Sequence, residues 1–356
     1  MSVLFGQQLS RSNLDKSVGD LVQVAGVRLM ELSEGQEREV RIADVRTGSG
    51  LRFQVSLDRG MDLSVAEYKG IPLAWRSPQG DVHPGFYDAR GSGWARSFPG
   101  GLMTGCGMTH AGAACVDEGE ELGAHGRLSN TPATHVSHAA EWEGDRCFFR
   151  LKGEVQETSL FKDHLLLQRT IETELGVSTI TLHDTVINKG TKRSPLMMIY
   201  HINTGWPLLD EGAELLLNAT LTKPRDAEAE KGTDTARRLS GPIPGFKEQV
   251  FFHDLSPDTA GNGNILLANR KLQIGLFVRF RMRELPRFIQ WKMTGEGTYV
   301  LGLEPANCWT QGRIKERERG TLQFLDPGER REFFLQIGIL EGEASMNQFI
   351  QQNRLT

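Results

Sequence analysis

The chain is 356 residues long, with 38% hydrophobic and 24% charged residues, a globular composition that excludes a disordered polypeptide. Lys and Arg total 41 against 45 Asp and Glu, a formal charge of −4, which speaks against a dedicated nucleic-acid binder. No apolar run approaches the ~18 residues that span a bilayer, so no membrane partner is expected.

The opening MSVLFGQQLSRSN lacks a charged head followed by an apolar stretch, and no secretory signal is expected there. Arg38–Val45 sets Val40, Ile42 and Val45 near one face, and Leu51–Leu57 points Leu51, Phe53, Val55 and Leu57 one way. Similar strand-like runs follow over Cys147–Val155, His164–Glu172, Ser178–Val186, Leu196–Ile202 and Ala213–Ala219. Lys271–Phe280, Arg287–Met293, Thr298–Leu303 and Arg331–Ile339 continue the pattern. Gly261–Asn264 and Asn269–Lys271 read as hairpin turns bracketing a strand. Helical spacing is confined to Ala344–Asn353, with Met346, Phe349 and Ile350 on one face. Strand, turn and strand repeated in this way predict an all-β fold, a large antiparallel sandwich or barrel in one domain over residues 1–356.

Two stretches break the rhythm. Ser77–Asn130 is rich in Gly, His and aromatics, and Tyr87, Trp94, Phe98 and His110 suit a binding wall. Thr222–Lys247 is charged and reads as a solvated excursion. The four cysteines, Cys106, Cys115, Cys147 and Cys308, are irregularly spaced, which fits reduced thiols in a cytoplasmic protein. Neither Cys106, His110 and Cys115 nor His135 and His138 match a zinc spacing, so no metal is expected.

The candidates for chemistry are polar residues set in apolar or Gly-rich surroundings. Glu304 ends the run TYVLGL, where desolvation raises a carboxyl toward the range of a general base; the bland alternative is a strand-end surface charge. Asn307 and Trp309 follow it as ligand contacts. His201 ends the apolar run LMMIY and can carry a proton near neutral pH, against the alternative of a satisfied core histidine. Asn203, two residues on, is expected to contact the substrate. His125 lies in a Gly-flanked turn, as a hydroxyl contact or a turn histidine. Arg59 offers a fork for sugar or carboxylate oxygens, or a structural salt bridge to Asp58 or Asp62. Trp291 is one of several tryptophans able to stack on a sugar ring.

In order, DRGMDLS (58–64), GAHGRLSNTPA (123–133), YHINTGWPLLD (200–210), FIQWKM (288–293) and GLEPANC (302–308) resemble the aldose 1-epimerase, or galactose mutarotase-like, superfamily and more closely its DUF4432 branch. The resemblance implies an antiparallel β-supersandwich with a carbohydrate cleft on a concave sheet. It implies an isomerase that interconverts sugar anomers, with ionised Glu304 as base and protonated His201 as acid. His125 and Arg59 then assist binding, with Arg96 as a rival arginine and Asp254 holding sugar hydroxyls. The partner is a small sugar or sugar derivative, with no cofactor. A non-catalytic sugar-binding or sensing protein, and a hydrolase or lyase on the same fold, remain open, as does assembly as a homodimer.

Overall fold

The alternating runs pair into two large sheets, and every ladder within them is antiparallel. The computed structural model describes residues 1–356. The larger sheet has twelve strands. Its main path runs Ala219–Pro224, Gln249–Leu255, Arg287–Gly295, Thr298–Ala306, Ser194–Gly205, Met103–Met108, Asp62–Tyr68, Leu51–Ser56, Arg41–Arg46 and Gly26–Glu31. The second has eight, from Thr134–Glu143 through Arg146–Thr158, His164–Glu174, Thr179–Asn188, Arg330–Glu341, Ile274–Arg281 and Asn262–Asn269 to Glu214–Leu217. Facing side chains close the layer between them: Tyr200, Ile202, Leu303 and Phe288 from the first sheet meet Leu167, Leu182, Phe333 and Leu335 from the second. No helix is long and apolar enough to cross a membrane. The one long helix, Glu343–Asn353, lays Met346 and Phe349 on Leu266 and Phe277, the outer face of the eight-stranded sheet.

Alternation has a second consequence in the larger sheet. Along Ser194–Gly205, Met198, Tyr200 and Ile202 face the inter-sheet layer, while Met197, Ile199 and His201 face the other way. That opposite face is covered as well. Ile199, Ile289, Val250, Cys106 and Ala306 pack with Trp94 and Phe98 from the Ser77–Asn130 stretch. The strand is therefore buried on both sides, which explains its unbroken apolar reading.

The expected strands are present with bounds moved by a few residues, and three segments differ in kind. Ala213–Ala219 is not one strand. It divides at Asn218 into Glu214–Leu217 in the smaller sheet and Ala219–Pro224 at the edge of the larger one. The first expected hairpin turn lies earlier, because the Asp258 carboxylate accepts from the amides of Ala260 and Asn262 and the strand begins at Asn262. Ser77–Asn130 contains a buried strand, Met103–Met108, whose small residues hide the usual strand signature.

Candidate functional site

The strand register sets the centre of the site. Ile202 pairs with Leu303 and Ile199 with Ala306, so His201 and Glu304 lie opposite each other on neighbouring strands and on the same face. His201 Nε2 stands 3.2 Å from Glu304 Oε1. Both are almost wholly buried, at 5% and 1% exposed. Gly302, two residues before Glu304, keeps the floor open: a Cβ there would stand 2.9 Å from Glu304 Oε1 and 2.9 Å from Trp291 Cβ.

Above this floor lies a cleft of about 220 Å³, lined by Trp94, Phe98, His125, His201, Trp291 and Glu304 among others. This is below the ~300–1,000 Å³ of pockets for drug-sized ligands, and suits one small ring. Phe98 and Trp291 each present an edge to the His201 ring at 5.3 Å between centroids. His125 packs against Trp94 at 4.4 Å and lies 6.0 Å from His201. Its turn is tight: His125 has φ of 58° and Gly126 of 73°, and a Cβ on Gly126 would stand 2.2 Å from His110 O. Four buried polar atoms at the cleft have no protein partner: His125 Nδ1, His201 Nδ1, Glu304 Oε2 and Thr310 Oγ1. Buried polar atoms without partners are rare, and a ligand rich in hydroxyls would satisfy these.

Burial acts against the charged form of both proton carriers. Burial holds the Glu304 carboxyl up at about 8, with nearby Glu248 adding to the effect and Arg225 opposing it. Burial also holds His201 down at about 3, and His125 down at about 4. The pair at the floor therefore favours a neutral acid beside a neutral imidazole, with one exchangeable proton between them.

The candidates divide into those that line the cleft and those that do not. His125, His201, Trp291 and Glu304 line it. Arg59 does not: it is fully buried elsewhere, donating to Val82 O at 2.6 Å, Ser97 O at 2.7 Å and Asn130 Oδ1 at 3.1 Å. It fastens the loops that carry the aromatic wall. Arg96 is exposed and outside the cleft. Asp254 is exposed near Lys223, at 3.8 Å, because it lies beyond Val250 and Phe252 along its strand. Asn203 is spent on backbone, donating to Gly101 O and His201 O. Asn307 accepts from Met198 N at 2.7 Å and donates to Leu196 O at 3.0 Å, which clamps the two central strands.

Beneath the floor, Asp62 accepts from Gly105 N at 2.8 Å. Arg169 grips Asp184 through Nε and Nη2, and Tyr200 Oη donates to the same carboxylate at 2.7 Å. Tyr200 is the neighbour of His201 on the opposite face, so this internal network holds the strand that presents the imidazole.

Three polar cleft residues escape the sequence reading: Thr310, Arg225 and Glu248. Arg225 lies within the stretch read as a solvated excursion, and Glu248 follows it directly. The only available signal was that KPRD and KEQVFF flank two strands, which marks charge at strand ends without telling which charge turns inward.

Residues 37–339 match the model of a family described as "Domain of unknown function (DUF4432)". The chain is similar in structure to a protein from Klebsiella pneumoniae subsp. pneumoniae provisionally named an aldose 1-epimerase, at 27% identity and TM-score 0.88, covering 92% of this chain and 86% of that one. It also resembles a galactose mutarotase-like protein from Clostridium acetobutylicum, at 12% identity and TM-score 0.63 over 90% and 99% of the two chains. A galactose 1-epimerase from Lactobacillus acidophilus NCFM gives 12% identity and TM-score 0.58 over 90% and 100%. The last two likenesses establish a shared fold alone. No protein of curated function matches the chain.

Proposed function

The chain belongs to the DUF4432 family, and from that premise we propose that it is an aldose 1-epimerase-like isomerase acting on a small cyclic sugar. The observation that carries this reading is the 3.2 Å approach of His201 Nε2 to Glu304 Oε1 at the floor of an aromatic cleft. The two oxygens of a hemiacetal, the anomeric hydroxyl and the ring oxygen, are bonded to one carbon. An acid and a base that serve them together must stand side by side, as these do.

The chemistry balances through two coupled proton transfers, one given and one taken. Neutral Glu304 gives its proton to the ring oxygen as the bond from that oxygen to the anomeric carbon breaks. Neutral His201 takes the proton of the anomeric hydroxyl as the carbonyl forms. The open sugar turns about the bond next to the carbonyl and presents its other face. As the ring closes, the imidazolium returns a proton to the carbonyl oxygen and the Glu304 carboxylate takes the proton of the attacking hydroxyl, which restores the neutral pair. Burial favours the both-neutral pair at rest, so the roles at the first step are the reverse of those implied by the resemblance. Trp94, Phe98 and Trp291 supply apolar faces for the ring.

A hydrolase needs two free carboxyl groups across the bond to be cut, ~5–5.5 or ~6.5–9.5 Å apart. Asp254 is outside the cleft, and Glu248 is engaged by Arg225 and Trp291, which disfavours that chemistry. The test is exchange NMR or polarimetry on freshly dissolved single anomers of neutral and charged aldoses. Faster equilibration with the wild type, lost in Glu304→Gln, is the expected result. Wild-type rates in Glu304→Gln would overturn the assignment.

A further inference from the structure

The mouth of the cleft carries an ion pair that the proton transfers leave unused. Arg225 follows the edge strand Ala219–Pro224, and its amide donates to Val250 O at 2.9 Å. Glu248 precedes the adjacent strand Gln249–Leu255. Strand pairing thus brings two residues 23 positions apart to the same end of the sheet. Arg225 Nη2 donates to Glu248 Oε1 at 2.9 Å, and its Nε donates to Asp226 Oδ2 at 2.7 Å. Trp291 Nε1 donates to Glu248 Oε2 at 3.0 Å, which fastens the pair to the aromatic wall. The Nη1 group of Arg225 has no protein partner, and each Glu248 oxygen keeps a lone pair free.

We infer that Arg225 and Glu248 form a charge-neutral clamp for a vicinal diol, and that they make uncharged sugars, rather than sugar phosphates, sulfonates or uronic acids, the substrates of this cleft. The inference rests on the sugar reading above and adds the substrate class. Two adjacent hydroxyls need one donor and one acceptor held side by side. The free Nη1 group donates to one hydroxyl oxygen, and a Glu248 oxygen accepts from the next hydroxyl. An anionic group would need the guanidinium fork for itself. Here that fork is shared between Asp226 and Glu248, and an anion would meet two carboxylates around a single positive charge. The histidines of the cleft, held neutral by burial, add no compensating charge.

The test is calorimetric titration of the wild type, Glu248→Gln, Glu248→Ala and Glu248→Ala with Arg225→Gln. The probes are neutral aldoses (D-glucose, D-galactose, L-fucose, L-rhamnose) and two anions, D-glucuronate and D-glucose 6-phosphate. The wild type should bind its best neutral aldose at least roughly tenfold more tightly than either anion. Removing the Glu248 charge frees the guanidinium, so anion affinity should rise by roughly tenfold. The alanine variant covers the case in which the glutamine amide oxygen still holds the fork. Adding Arg225→Gln should cancel the gain. A wild type that prefers an anion, or no gain in either Glu248 variant, overturns the clamp while anomer exchange still stands on its own measurement. A wild type that binds none of the probes overturns the sugar reading and the clamp together.

Discussion

Replacing Glu304 by glutamine should flatten one part of the protein's pH–stability curve. The folded chain holds this carboxyl's proton up to about 8 because the group is buried, whereas an ordinary glutamate releases it near 4.5. Between those values the unfolded state binds fewer protons than the folded one, so stability falls as pH rises. The contribution is fully present below 4.5 and is lost as pH climbs through about 8. Each pH unit costs ~1.4 kcal/mol, so the wild type should lose about 4 kcal/mol relative to Glu304→Gln between pH 5 and pH 8. His201, held near 3, gives the opposite slope below its ordinary value of 6.5, but both proteins contain it and the difference cancels it. Urea unfolding followed by tryptophan fluorescence at pH 5, 6, 7 and 8 measures the effect. In thermal scans it amounts to ~1–2 °C per kcal/mol for a chain of this length. A stability difference that stays constant across this range would mean that Glu304 is ionised throughout. The neutral pair, and the order of proton transfers drawn from it, would then be refuted.

On whichever aldose binds, His201→Asn and Glu304→Gln should each lower kcat by ~10²–10⁴ with a smaller change in KM, and the double variant should be little worse than either single one, as exchange NMR can read. The rate should hold a plateau bounded by limbs near 3 and near 8 that belong to the pair; a limb near the ordinary imidazole value of 6.5 would contradict the burial argument. Arg59→Met should destabilise the fold by ~2–4 kcal/mol in urea titrations, because it strands the buried carbonyls of Val82 and Ser97. Sugar affinity in the remaining folded Arg59→Met fraction should match wild type, and a selective loss of affinity would restore Arg59 to the cleft. Asp254→Ala should change stability by less than ~0.5 kcal/mol and leave exchange rates intact, since the residue is exposed and away from the cleft.

The strands were legible because period-two alternation is a local property. Leu51, Phe53, Val55 and Leu57 are all buried in the structure, as their spacing required. His201 and Glu304 were legible for a related reason. A polar side chain inside a run as apolar as LMMIY or TYVLGL either faces a polar partner or has chemistry to do, and neighbouring residues alone reveal that tension. What those runs could not reveal is that the two face each other. This follows from the register of Ser194–Gly205 on Thr298–Ala306, a pairing across about a hundred residues. Arg59 and Arg225 mark the boundary most clearly. Both are arginines with acidic neighbours, and sequence offers no means of ranking them. Arg59 was captured by two loop carbonyls and the Asn130 side chain, while the split at Asn218 carried Arg225 to the mouth of the cleft. Asn203 and Asn307 were spent on strand clamps for the same reason: a buried backbone carbonyl needs a donor, and which side chain supplies it depends on how the strands meet. Proton positions lay furthest from the sequence. Residue type sets the ordinary affinity of Glu304 and His201 for a proton, but the direction in which each is shifted comes from desolvation, and only the closed sandwich with its aromatic cover removes the water.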